Sequence, residues 1–299
     1  MTWNHDHKLL YAHVRFDPFP LSTFALEPIS GKLQLIETVA MPAAMAYLSV
    51  MRNGRFLLGA SYDSALLTVN RIEKDGRIHT PCLQTLPTPP KTHCIIEAPF
   101  GGFVFATTVD GEAILVYRFI EKSGQLEAVS TATIQMRPGS GPRHLVFHPR
   151  LDKLYCVNEH EGSLTSYSVD RDSGALDELQ NVSLVPPNFF GNAMAADIHF
   201  TPNGKFLYAS VRKTNAIVAF SIDPLTGLMS SAGTFEVEAN PRGFAIEPSG
   251  RFLLCAGQES NQLGVFEIEP NTGALTLVGR HVVGKRPSWI EIIPAPAIN

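Results

Sequence analysis

Short apolar-rich runs, separated by polar turns with Gly, Pro, Asn or Asp, recur along the whole chain. One unit reads Gly243-Phe-Ala-Ile-Glu247, a turn at Pro248-Ser-Gly250, Phe252-Leu-Leu-Cys-Ala256, Leu263-Gly-Val-Phe-Glu-Ile268, a turn at Thr272-Gly273, and Leu275-Thr-Leu-Val278. Such lengths, β-branched and aromatic residues, and flanking turn residues predict four short strands. Asn53-Gly54 and Asn203-Gly204 stand as hairpin dipeptides at the place of Ser249-Gly250 in other copies. No stretch shows the 3.6-residue period of a long helix.

The unit repeats. Its last turn recurs with glycines at positions 31, 76, 124, 174, 227 and 273, which are 45 to 53 residues apart. Units start near residues 1, 45, 92, 142, 195 and 241. Four strands per repeat of this length predict an all-β chain built as a β-propeller of four-stranded blades, because a lone blade leaves its faces uncovered. Pro287-Ser-Trp-Ile-Glu-Ile-Ile293 copies the first strand of a further unit and is expected to close the ring. Met1 falls inside the first strand of unit one, so that blade is expected to start short. The expectation is six blades or an incomplete seventh. No linker or composition shift divides residues 1–299, which are read as one domain.

Bulk composition narrows the function classes. The 299 residues are 44% hydrophobic with a net charge of −4, enough for a large core and a poor basis for binding nucleic acid or anionic membrane. No apolar run approaches a membrane span, and the polar start Met1-Thr-Trp-Asn-His-Asp-His7 lacks signal-peptide order. Four cysteines without a CxxC pair suit reduced thiols, and a cytoplasmic location is expected. There is no GxSxG elbow, P-loop, dinucleotide fingerprint or acidic metal cluster, so neither a cofactor nor a metal is expected.

Chemistry is sought where the copies differ. In each blade the first strand starts where the second ends, which defines two slots at one mouth of the ring. The first slot holds Ala46, His93, Arg143, Ala196, Arg242 and Ser288; the second holds Arg15, Tyr62, Val109, Glu159, Arg212 and Gln258. Small residues would suffice at the first slot, yet three copies carry His or Arg there. His93, Arg143 and Arg242 are therefore candidate functional residues, with Glu159 opposite Arg143 and Gln258 opposite Arg242. Asn158, His199, Arg212 and Gln258 are candidate substrate contacts. Arg143 facing Glu159 also fits a structural ion pair, and Asn158 a turn. His144 and His148 are expected to face between blades and bond backbone. Asp197 stays open between support and function.

Three motifs resemble the 6-phosphogluconolactonases of the seven-bladed β-propeller lactonase family. They are Gly141-Pro-Arg-His-Leu-Val-Phe-His-Pro149 with Tyr155-Cys-Val-Asn-Glu159, Ala195-Ala-Asp-Ile-His-Phe-Thr-Pro-Asn-Gly204, and Asn240-Pro-Arg-Gly-Phe244 with Ala256-Gly-Gln258. Fungal carboxymuconate cyclases share this architecture. Similarity to them implies an active site of a His, two Arg and a Glu, falling on His93, Arg143, Arg242 and Glu159. The resemblance implies a cofactor-independent hydrolase that opens a sugar lactone, with a small lactone or carboxylated molecule as its partner. A neutral imidazole at His93 would serve as base without retuning, whereas Glu159 would need its pKa raised. A lactonising cyclase, in which the arginines neutralise a diacid, is the alternative reading. A non-catalytic propeller scaffold is the third.

Overall fold

In the computed structural model, residues 1–294 are described; the last five residues of the 1–299 domain lie outside them. The described residues form six antiparallel sheets, each a meander whose strand order follows the sequence. The first holds Thr2–Trp3 (β1), Leu9–His13 (β2), Pro20–Leu26 (β3) and Leu33–Ala40 (β4). The second holds Tyr47–Val50 (β5), Phe56–Ser61 (β6), Leu66–Arg71 (β7) and Gln84–Pro87 (β8). The third holds Thr92–Glu97 (β9), Phe103–Thr108 (β10), Ala113–Ile120 (β11) and Gln125–Ala128 (β12), with Ile134–Gln135 (β13) beside β11. Pro142–Phe147 (β14), Lys153–Asn158 (β15), Ser163–Val169 (β16) and Leu176–Ser183 (β17) make the fourth. Ala195–Phe200 (β18), Phe206–Val211 (β19), Ala216–Ile222 (β20) and Met229–Glu236 (β21) make the fifth. Pro241–Ile246 (β22), Phe252–Gly257 (β23), Gln262–Ile268 (β24) and Leu275–Val282 (β25) complete the sixth. These are the four-stranded blades of a β-propeller, at the boundaries the repeats predict; the first blade opens on a strand of only two residues.

One expected element differs. Pro287–Ile293 forms no strand. Arg286 takes a φ of 53° and Pro287 has no N–H for a ladder, so the stretch starts outside the β region with a donor missing. It lies instead along β22, where a Cβ on Gly243 would come within 2.7 Å of the Ser288 carbonyl.

The chain groups into two compact units. Residues 1–135, with Asp172–Ala175 and Pro294, carry the first three sheets; Met136–Arg171 and Leu176–Ile293 carry the other three. Inside each unit the core lies between successive sheets. Tyr11, Leu21, Leu48 and Leu57 fill the space between sheets one and two, and Phe56, Leu58, Ile95 and Val104 that between two and three. In the second unit Tyr155, Leu164, Leu207 and Val218 join sheets four and five, and Tyr208, Ile217, Phe244 and Leu253 join five and six.

The recurring glycine has a structural cause. From Gly76 onward, the turn between the third and fourth strands packs on the second strand of the sheet before it. Tyr11 Oη donates to Gly76 O at 2.9 Å, Tyr155 Oη to Gly227 O at 2.5 Å, and Tyr208 Oη to Gly273 O at 2.9 Å. Gly273 has φ +75°, and a Cβ there would fall 2.6 Å from the Phe206 ring. Position 31, where nothing lies within 4 Å, keeps glycine for its positive φ alone.

This stitch is testable by urea unfolding. Gly273→Ala forces both a disfavoured φ and a ring clash, and is expected to lower stability by more than about 1 kcal/mol. Tyr208→Phe removes one buried bond and is expected to cost about 1–2 kcal/mol. Equal stability of Gly273→Ala and the parent protein would refute the packing role.

Candidate active site

Register breaks aim the first-slot side chains. In β9, Thr92 and Cys94 pair with the consecutive residues Thr108 and Thr107, leaving His93 as the extra residue. In β22, Pro241 and Gly243 pair with Gly257 and Ala256, leaving Arg242 as the extra one. In β14, Arg143 and His144 share the space opposite Val157; in β18, Ala196 and Asp197 share that opposite Ser210. A bulge bends its strand and turns a side chain away from the regular alternation. Nothing in the order of apolar and polar residues along these strands marks where it falls.

In the second unit the bulged strands gather a charged cluster. Arg143, 2% exposed, places Nε 3.0 Å from Glu159 Oε2. Arg212, 4% exposed, places Nη2 2.7 Å from Glu159 Oε1. Backbone holds the parts in place: Glu159 N donates to Gly141 O at 2.6 Å, Ala195 N to Glu159 O at 3.0 Å, and Arg212 Nε to Met194 O at 2.8 Å. Arg143 Nη1 also donates to Ala196 O. Burial and then the neighbouring Arg242 charge pull Arg143 down to about 9, with Glu159 opposing; the guanidinium stays charged at neutral pH. For Glu159, burial pushes upward but Arg143, Arg212 and Arg242 outweigh it, so its carboxyl lies below the usual range. A buried carboxylate between two guanidinium groups is stable only as a set, since removing one partner strands a desolvated charge.

A second network lies beside it. His144 Nδ1 is 2.8 Å from Asp197 Oδ1, and His144 Nε2 is 3.3 Å from Arg143 Nη1. His199 Nε2 is 3.2 Å from Asp197 Oδ2, and Phe244 N donates to that oxygen at 3.2 Å. Burial and the Arg143 charge push His144 down to about 4, so it is neutral. At His199, burial is overcome by Asp197 and Glu291, which raise it above the ordinary imidazole value.

The sequence-derived residues divide between the units. Arg143, Glu159, Arg242, Arg212, His199, Asn158 and Gln258 belong to the second; His93 belongs to the first. Arg143, Glu159 and Arg212 are brought into direct contact, and the Arg242 charge acts on the first two. Gln258 is half-buried just past β23, its backbone N 3.1 Å from Asn240 O. Asn158 is fully buried, and its Nδ2 donates to Ser163 and Thr165 within its own sheet at 2.8 and 2.9 Å. His93, 4% exposed, meets the Tyr62 ring edge-on at 5.7 Å, and Lys91 sits 4.6 Å from that ring's centroid.

Two of the supporting histidines part ways. His148 bonds backbone as expected, 3.1 Å from Gly204 O. His144 does not; it joins a carboxylate to an arginine. The available signal was the pairing of Arg-His in one unit with Ala-Asp in the next at the same slot, which becomes legible only once the bulges are known. Among the described residues, no group of three or more His, Cys, Asp or Glu is arranged to hold a metal ion.

Comparison with known proteins agrees with the fold. A sequence model described as Lactonase, 7-bladed beta-propeller, matches residues 1–292. The 6-phosphogluconolactonase of Pectobacterium carotovorum is 34% identical over 238 residues, which cover 80% of this chain and 70% of that protein. That of Yersinia pestis is 32% identical over 247 residues, covering 83% and 73%. The solved periplasmic gluconolactonase of Pseudomonas aeruginosa superposes with a TM-score of 0.90 at 28% identity, over 98% of this chain and 87% of that one. With the blade architecture, the shared motifs and a match over nearly its full length, the chain belongs to the seven-bladed β-propeller lactonase family.

Proposed function

We propose that the protein hydrolyses a sugar lactone of the 6-phosphogluconolactone type without a cofactor, using the arginines of the second unit. The observation that carries this reading is the cationic cluster on the bulges of β14 and β22. Arg143 and Arg242 bring two positive charges near one another, and a single carboxylate, Glu159, is shared between Arg143 and Arg212.

Opening a lactone places negative charge on the carbonyl oxygen as water adds and gives up a proton. The ring C–O bond then breaks, the ring oxygen takes a proton, and a hydroxy acid is released. Guanidinium N–H groups held in a dry setting stabilise the oxyanion without reorganising, and afterwards match the product carboxylate. The low pKa of Glu159 disfavours it as a general base near neutral pH and supports a role as the fixed counter-charge that orients its two arginines. The names of the curated relatives favour the hydrolase over the cyclase, whose diacid substrate would use the same cations.

A pH-stat assay on δ-gluconolactone and on 6-phosphogluconolactone tests the reading. Proton release is expected, and Arg143→Ala is expected to lower kcat/KM by on the order of 10²–10³-fold. Loss of a muconate ultraviolet band, with no proton release from either lactone, would establish the cyclase instead.

The role of Glu159 gives a separate expectation. Its folded pKa lies below the reference value of 4.5, so its contribution to stability is present above that pH and is lost as pH falls through the folded value. Glu159→Gln is therefore expected to be less stable than the parent at pH 7, by on the order of 3 kcal/mol. The gap should narrow as pH drops below about 4. Melting temperatures of both proteins across pH 3 to 7 check this; a constant gap would contradict the counter-charge role.

A further inference from the structure

Asp197 is 7% exposed and lies on the bulge of β18, the one bulge of the second unit whose first slot holds a small residue, Ala196. Its two oxygens take four donors. Oδ1 faces His144 Nδ1 at 2.8 Å and Ile198 N at 3.0 Å; Oδ2 faces His199 Nε2 and Phe244 N, each at 3.2 Å. Four contacts use the full accepting capacity of a carboxylate. Burial raises its pKa, but the two histidines bring it well below the carboxylate reference value, so it stays a pure acceptor.

A pure acceptor settles the tautomer of the ring it faces. With its proton on Nδ1, His144 turns the lone pair of Nε2 toward Arg143 Nη1, 3.3 Å away. A proton on Nε2 would set two donors against one another, and a doubly protonated ring would set cation against cation. The same carboxylate accepts from Phe244 N, two residues beyond Arg242 in the bulged strand β22. One side chain thus reaches the bulges that carry both arginines.

We propose that Asp197 is a positioning residue that aims Arg143, through the Nδ1–H tautomer of His144, and holds the backbone bulge that presents Arg242. Its catalytic consequence rests on the lactone-hydrolysis reading above; its effect on the tautomer does not. Asn keeps the size of the side chain but offers one acceptor oxygen and one donor in place of two acceptors, and so leaves His144 free to turn its proton round and one pair of the four donors without an acceptor.

Imidazole ¹⁵N spectra of the histidine-labelled full chain at pH 7 test the first link. His144 is expected to carry its proton on Nδ1 in the parent protein and to lose that preference in Asp197→Asn. In turnover of lactone, D197N is expected to lower kcat by on the order of 10²-fold, the scale of a small misplacement of reacting groups, with KM changed far less. Its circular dichroism should stay that of the parent. His144→Gln, whose carbonyl still accepts from Arg143, should keep most of kcat, whereas His144→Leu should lose it as D197N does; this pair serves even where D197N fails to fold. A proton on Nε2 of His144 in the parent, or equal kcat for H144Q and H144L, would overturn the proposal. Absence of turnover on any lactone, with His144 protonated on Nδ1 as expected, would instead overturn the hydrolase reading and confine Asp197 to holding the two side chains.

Discussion

A guanidinium that is 2% exposed has given up its water, and the second unit is arranged around that constraint. Arg143 is tolerable inside the protein because three kinds of acceptor surround it: the Glu159 carboxylate, the Ala196 carbonyl and the neutral His144 ring. Each comes with a condition of its own. Glu159 is itself shared with Arg212, His144 stays neutral through burial and the adjacent cation, and Ala196 is presented by the β18 bulge. Loss of any one leaves a desolvated group without its complement, and so the cluster behaves as a unit.

Regular β-structure alone cannot build such a cluster. Alternation sends every second side chain to the same face, and neighbouring blades repeat that arrangement. The bulges in β9, β14, β18 and β22 break the alternation at the same point of each sheet and free one position per strand from packing duty. Evolutionary differences between copies can then be placed at these positions without disturbing the interior. The glycine turns that lock onto the tyrosines of the preceding sheet do the opposite work: they vary little because φ and clearance permit little.

Charges within the cluster explain which groups suit which tasks. Two arginines within electrostatic reach of one another would separate unless anions intervened; Glu159 supplies one on the side of Arg143 and Arg212, and Asp197 another behind His144. The same attraction that makes Glu159 a good counter-ion makes it a poor proton acceptor. Polar side chains that look equivalent among the candidate residues therefore differ by their partners. Asn158, for example, is bound to Ser163 and Thr165 inside its own sheet, whereas Glu159 beside it reaches Arg212 of the next sheet.

The repeat length, the four strands of each unit, the unit boundaries and the slot residues Arg143, Glu159, Arg242 and His93 were all readable from the chain. Periodicity and turn chemistry are local properties, and comparing copies reveals positions released from packing. The family likeness rested on contiguous motifs and was equally local. What only the tertiary structure decided were the bulges, the sharing of Glu159 between Arg143 and Arg212, the link from Arg143 through His144 to Asp197, and the failure of Pro287–Ile293 to form a strand. Each depends on contacts that reach residues as far as 53 positions apart, or on a backbone turn that spends a single residue. No pattern of apolar and polar letters encodes either.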